Sequence, residues 1–329
     1  MYIKSPSRLH LALIDMNGSY GRLDGGIGLT IQDPNFILYD ENAEKGITVE
    51  FGDEFQFDDV IKKEYEKKVK SAADKVINHF DVDEGFYFRV DKGYLTHSGL
   101  GSGTQIALST AKIITESIGQ DYTGHALGKI VGRGGTSGIG VFAFDYGGFI
   151  VDGGHSLKEK SSFLPSSASK ASPPQLFARY DFPEEWNVLI VILKSDNSVN
   201  GQKEVNIFQE YCPIPRHDAE LSSHLIFMNL IPFLLEKDLP CFGNIINKIQ
   251  TLGFKNIEVS LQSDNIKNLM KKLREIGAYG VGMSSFGPTV YSIFDKTNKH
   301  IVDEIKEYVG DDGIVFTTKA QNHCHELLK

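Results

Sequence analysis

The chain has 329 residues, 41% of them hydrophobic and 23% charged. This ordinary globular usage excludes intrinsic disorder and rod-like repeats, and the length suits about two domains or one large α/β unit. There are 34 Lys and Arg against 43 Asp and Glu, so a net charge of −9 excludes a global pull toward nucleic acid or anionic lipid. That charge leaves room for a local basic pocket.

Residues 1–52 alternate like strands, through Ile3, Leu9, Leu11 and Leu13, then 36–39 and 47–51, with Gly and Asp-Gly steps between them. Over 57–80, Val60, Ile61, Tyr65, Val69, Ala72, Ala73, Val76 and Ile77 recur at helical spacing. This predicts an amphipathic helix whose lysine-rich stretch, 62–70, is a solvated face. A strand at Phe86–Val90 follows. The glycine-rich segment 97–103 then runs into an apolar helix, about 104–118, and a shorter helix lies near 126–131. Val141–Phe144 and Phe149–Asp152 read as two further strands.

Residues 156–182 are rich in Ser and Pro and mark the best boundary. The expected organisation is an N-terminal domain at 1–160, a linker or loop at 161–182, and a C-terminal domain at 183–329. The second half opens with the continuous apolar run Trp186–Leu193, a buried strand. Helical patterns continue to about Gly277, then a strand pair near 279–283 and 289–294, a helix at 298–309 and a strand at 314–318. The class is α+β, with a strand-rich N-terminal half and helices around a small sheet in the C-terminal half. No run approaches the roughly 18–20 apolar residues that span a bilayer, and no signal-peptide core is expected. Cys212, Cys241 and Cys324 show no paired spacing, which points to a reducing cytoplasm.

Four glycine clusters carry the chemistry. The sharpest is His97-Ser98-Gly99-Leu100-Gly101-Ser102-Gly103-Thr104-Gln105, directly before a helix. Backbone amides that approach a ligand closely, together with a helix N-terminus, make a phosphate cradle, whereas the plain alternative is a tight turn capped by Ser102. The order Gly103-Thr104-Gln105 is not that of a Walker A loop. The second cluster runs from Gly132 to Gly140 and holds Arg133, Thr136 and Ser137. The third spans Gly280–Val290. The fourth, near the start, holds Asp15, Asn17, Gly18, Gly21, Arg22, Asp24, Gly25, Gly26 and Gly28.

The set resembles the GHMP superfamily of small-molecule kinases. Gly99–Gly103 matches its central P-x-x-x-G-L-G-S-S motif, Pro6-Ser7-Arg8 its P-x-R strand, and Gly282–Gly287 its late glycine loop. The resemblance implies a two-domain α+β fold with a left-handed βαβ unit and a helical, ferredoxin-like C-terminal domain. Where kinases of the mevalonate type carry P-S-G-x-D, this chain has Thr136-Ser137-Gly138-Ile139-Gly140, so a glycine stands at the catalytic aspartate. Within the superfamily, the runs 7–28 and 135–155 look like the β-ribofuranosylaminobenzene 5′-phosphate synthases.

That resemblance implies a pentosyltransferase. It would join phosphoribosyl diphosphate to 4-aminobenzoate or 4-hydroxybenzoate and release CO2 and diphosphate, in tetrahydromethanopterin biosynthesis. It also implies Mg2+ with the diphosphate, a cytoplasmic location and a homodimer. Arg8, Arg22 and Arg133 with Gly99, Gly101, Ser102, Gly103, Thr104 and Gln105 are the expected phosphate holders, joined by His10, His97, Thr136, Ser137 and His155. A carboxylate is needed near the ribosyl C1, where positive charge develops. Asp15, Asp24 and Asp152 are the candidates. Asp15 and Arg22 flank a glycine-bounded turn and are expected to share one wall, with Arg22 gripping phosphate and Asp24 beside them. The alternatives are an ATP-dependent kinase of the same superfamily and a non-catalytic ligand-binding relic.

Overall fold

In the computed structural model, residues 1–43, 45–194 and 201–328 are described. The first half is built on two long antiparallel strands, β1 (Tyr2–Asp15) and β2 (Arg22–Ala43), whose register sets Arg8 opposite Thr30 and His10 opposite Gly28. A βαβ unit follows: β3 (Ile47–Phe51), α1 (Asp59–Phe80) and β4 (Gly85–Lys92), with β3 and β4 parallel. The Asp58 carboxylate caps α1 by accepting the Ile61 amide at 2.9 Å. Tyr65, Val69, Ala72, Ala73 and Val76 bury the expected apolar stripe.

α2 (Ser102–Ser117), α3 (Gly124–Val131) and α4 (Ile139–Asp145) come next. α4 corrects the reading of Val141–Phe144 as a strand. A short, wholly apolar run does not by itself distinguish a buried strand from a buried helix. Packing settles it here. Gly28 has no side chain, so Ile139 fits against β2 where a β-carbon would collide with it and with the Leu9 carbonyl.

β5 (Phe149–Asp152) and β6 (His155–Ser156) both pair with β2, and β7 (Leu176–Tyr180) pairs with β5. The end of the 161–182 segment is thus a strand of the first sheet. β8 (Asn187–Leu193) opens a second sheet. Five helices follow: α5 (Gly201–Tyr211), α6 (Arg216–Leu225), α7 (Ile231–Leu235), α8 (Leu239–Ile249) and α9 (Gly253–Ser260). A π-helical turn, Ile226–Leu230, joins α6 to α7. Then come α10 (Asp264–Glu275), β9 (Tyr279–Met283), β10 (Thr289–Phe294), α11 (Ile301–Val309), β11 (Gly313–Thr318) and β12 (Glu326–Leu328).

The second sheet has the antiparallel order β11-β8-β10-β9, whereas β12 returns to pair with β1 in the first. Leu189 and Val191 of β8 pack with Ile266, Leu269 and Leu273 of α10 and with Ile301 and Ile305 of α11. The fold is α+β, as expected. Among the described residues no helix is long and apolar enough to cross a membrane.

Candidate active site

Two of the glycine clusters, 97–105 and 280–290, meet at β1. The His10 amide donates to Ser284 Oγ at 2.9 Å, and Ser284 Oγ donates to the Gly99 carbonyl at 2.7 Å. The Ser285 amide donates to the His10 carbonyl at 3.1 Å, and the Thr289 amide to the Ser98 carbonyl at 3.3 Å. A cavity of about 300 Å3 opens over this junction.

One end of the cavity is built for anions. Gly99, Gly101, Ser102, Gly103 and Thr104 line it at the start of α2. Gly101 is the N-cap in a left-handed conformation, φ +84°, and brings no capping side chain. The Ser102 and Gly103 amides have no acceptor among the described residues, so the helix N-terminus presents free donors. Arg8 lies against Gly101, with its guanidinium carbon 3.2 Å from where a β-carbon would sit, and donates to the Gly99 carbonyl. Burial pushes Arg8 down to about 10, which leaves it cationic near neutrality.

Arg133 reaches the same end, beside Gly103, and its guanidinium makes no hydrogen bond or ion pair among the described residues; its Nε is buried without a partner. Lys68 also lines the cavity and pairs with Glu64 at 2.6 Å; His97 contacts the same carboxylate at 2.8 Å. Burial, and then the charge of Arg133, hold Lys75 below its usual range. Cations crowded around an unpartnered guanidinium and free amides favour a bound polyanion.

The other end is apolar and acidic. Leu13, Phe208 and Phe286 line it, backed by Met16, Ile207 and Phe254. Glu204 and Glu258 supply carboxyls. Glu258 is buried and ion-paired with Lys255, whereas Glu204 makes one long contact, 3.5 Å from Ser167 Oγ. His10 also lines the cavity. Burial, Arg8 and Lys255 keep its ring neutral, and its Nδ1 has no partner.

Of the residues expected to hold phosphate, Arg8, His10, His97, Gly99, Gly101, Ser102, Gly103, Thr104, Arg133, Thr136 and Ser137 line the cavity. Gln105 turns inward and donates to the Gly140 carbonyl at 2.8 Å. Asp15, Arg22, Asp24 and His155 do not line it. Asp15 accepts the Asn17 and Gly18 amides at 2.8 and 2.9 Å, closing the turn after β1. Arg22 is exposed and donates to the Gly153 and Gly154 carbonyls at 2.7 and 3.0 Å. The expected shared wall of Asp15 and Arg22 is therefore a stitched turn. Its side chains are taken up by backbone groups of their own neighbourhood.

Asp24 lies in a buried cluster. Its Oδ2 takes His155 Nδ1 at 2.7 Å and Lys160 Nζ at 2.8 Å. His155 Nε2 faces the Ser172 carbonyl at 2.9 Å, so both ring nitrogens face acceptors and the imidazole carries two protons. Burial opposes that charge, but the bonds to Asp24 and Ser172 raise His155 above its ordinary range. Lys160 also donates to Thr136 Oγ1 at 3.1 Å and to the Leu164 carbonyl at 2.9 Å. The cluster ties the Ser-rich segment across the Gly132–Gly140 loop, which sets Pro165, Ser166 and Ser167 into the cavity wall. Asp152, pushed up to about 6 by burial, accepts Ser137 Oγ at 3.0 Å and the Gly138 and Gly154 amides at 2.9 and 3.0 Å.

The sequence reading missed Lys68, Glu204, Phe208 and Glu258. Lys68 was hidden in the lysine face of α1. The other three belong to helices that no motif marks. Phe286, with Ser285 and Gly287 beside it, lies within the Gly280–Val290 cluster.

The chain matches the models for the GHMP kinases N terminal domain over residues 67–148 and the GHMP kinases C terminal domain over 230–312. It is 50% identical over 329 residues to a β-ribofuranosylphenol 5′-phosphate synthase of Methanothermobacter thermautotrophicus, covering 100% of this chain and 99% of that protein. The chain belongs to this synthase family. The protein of the same name from Methanocaldococcus jannaschii is 43% identical over 340 residues, covering 99% of this chain and all of its own. A homoserine kinase from Cytophaga hutchinsonii shares the fold, with a TM-score of 0.70 at 16% identity over 99% of this chain and 97% of that one. The synthase family thus keeps the GHMP kinase architecture of an N- and a C-terminal domain.

Proposed function

We propose that the protein transfers the 5-phosphoribosyl group of phosphoribosyl diphosphate to 4-hydroxybenzoate, releasing CO2 and diphosphate, as a step of tetrahydromethanopterin biosynthesis. The observation that carries this reading is the two-ended cavity. Free α2 amides, Arg8, Arg133 and Lys68 suit a substrate with two phosphate groups. Leu13, Phe208 and Phe286 suit a flat aromatic acceptor at the other end. The relatives are named for a phenol product, which favours the hydroxybenzoate, with 4-aminobenzoate the second choice.

In this reading the α2 amides and Arg133 hold the diphosphate and draw charge away from C1 as it departs. Neutral His10 and the aromatic wall keep the reacting centre away from water. Among the described residues no cluster of three or more His, Cys, Asp or Glu side chains offers a metal cage. Mg2+ belongs to the proposal as the counter-ion that arrives on the diphosphate, a use that needs few protein ligands. A homodimer and a cytoplasmic location also remain part of the proposal.

The kinase alternative meets a local obstacle. The Gly140 carbonyl accepts Gln105, and a β-carbon there would meet Thr104 at 3.2–3.4 Å. At the place of the kinase aspartate the cavity is lined by a glycine, with no side chain to accept a proton and a tight fit for any other residue. Incubation with phosphoribosyl diphosphate, Mg2+ and each benzoate, following CO2 and diphosphate, tests the reading. Stoichiometric release of both supports it. ADP production from ATP and a small alcohol, with no CO2 from either benzoate, contradicts it.

A further inference from the structure

With Asp15, Asp24 and Asp152 all engaged away from the cavity lining, the carboxyls that do line it are those of Glu204 and Glu258. They are not equivalent. Glu258 is buried and paired with Lys255. Glu204 has no ion-pair partner among the described residues and only the 3.5 Å contact to Ser167. It lies four residues before Phe208 on α5, so the two side chains sit one above the other on the same helix face, and both line the cavity. A ring packed on Phe208 has its substituted edge one turn away, at Glu204.

We propose that Glu204 is the proton acceptor, and then the proton donor, for the 4-hydroxyl of the acceptor ring. The inference rests on the ribosyl-transfer reading and assigns a step within it. The carboxyl-bearing ring carbon attacks C1 of the ribosyl group, and the C1–oxygen bond to diphosphate breaks with its electron pair leaving on diphosphate. As the new C–C bond forms, the 4-hydroxyl becomes a ring ketone and its proton passes to the Glu204 carboxylate. The bond to the carboxylate carbon then breaks, CO2 leaves, and the electron pair restores the aromatic ring as a phenolate. Glu204 returns the proton to that oxygen and ends unchanged. No oxidant or reductant enters.

The environment suits a group that must work in both directions. Burial, and then the charge of Glu258, push Glu204 up to about 7. Proton transfer is most effective when the group titrates near the working pH. Among the described residues the charged group that acts on it is Glu258 of α9, with the Ser167 hydroxyl 3.5 Å from its carboxyl.

The two acceptors separate this role from a structural one. An amino group can donate its lone pair and pass through an iminium without losing a proton before the C–C bond forms. Glu204→Gln keeps shape and removes the base. With 4-hydroxybenzoate, kcat should fall by about 10²–10³, within the range for losing a general acid–base. With 4-aminobenzoate it should fall less than about tenfold, and the KM for phosphoribosyl diphosphate should stay within about threefold. The rise of kcat with pH near 7 should vanish in Glu204→Gln and persist in Glu204→Asp. Equal losses with both acceptors, or no loss with 4-hydroxybenzoate in an active wild type, overturn the assignment while leaving the ribosyl-transfer reading intact. A wild type that uses neither acceptor overturns both.

Discussion

The two ends of the cavity are built by different means. The backbone part of the anion end is a local device: one stretch, Gly99–Gln105, supplies the left-handed cap, the free amides and the first turn of α2, to which Arg8, Lys68 and Arg133 add charge from elsewhere. The acceptor end is a tertiary device. Leu13, Glu204, Phe208, Glu258 and Phe286 come from β1, α5, α9 and the turn before β10. Backbone donors need glycines at fixed offsets and so leave a written motif. An apolar wall needs only side chains of the right size, which chain folding can gather from anywhere.

The buried Asp24–His155–Lys160 cluster behind the cavity wall gives the largest expected effect. Lys160→Met leaves Asp24 with His155 as its one cationic partner and removes the bonds to Thr136 and the Leu164 carbonyl. Breaking a buried pair by removing one partner costs about 3–5 kcal/mol. Denaturant unfolding should show a loss of that order, and the KM values for both substrates should rise together. A rise confined to one substrate would show that the Ser-rich strap serves only one end.

Arg133→Gln acts on the anion end alone. A hydrogen bond to a charged group contributes about 1.5–3 kcal/mol, so the KM for phosphoribosyl diphosphate should rise about 10–150-fold. The KM for 4-hydroxybenzoate should change little. Steady-state kinetics with each substrate varied in turn distinguishes this from a general loss of structure.

Phe208→Leu is the mirror experiment with the smallest effect. Replacing an aromatic contact by an aliphatic one costs about 0.5–1.5 kcal/mol. The KM for the benzoate should rise by about 2–12-fold while that for phosphoribosyl diphosphate holds. If instead the diphosphate substrate suffers, the two ends are not separate sites.

The same division explains what could be read from the sequence. Alternation announced β1, and the apolar stripe of α1 announced a helix from Asp59 to Phe80. Val141–Phe144 misled because a short buried run has no period of its own, and the deciding contact, Ile139 on Gly28, lies more than a hundred residues away. The Ser- and Pro-rich segment reads as a linker by composition, yet Lys160 and His155 anchor it from inside, and its last residues form β7. Asp15 and Arg22 have the residue types of a site. Whether such groups face a ligand or their own turn depends on free backbone amides and carbonyls nearby, which a sequence does not display. Glu204 carries no local signature, because what marks it is the burial it acquires beside Glu258.

In the proposed reaction the diphosphate substrate sits on the start of α2. Amide hydrogen exchange at Ser102 and Gly103, with and without saturating phosphoribosyl diphosphate and Mg2+, tests it most directly. These amides have no internal acceptor, so they should exchange freely in the unliganded protein and slow by at least about tenfold when phosphate oxygens accept them. Unchanged exchange at 102–103, with new protection confined to the 15–22 turn, would contradict the claim and return Asp15 and Arg22 to the centre of the site.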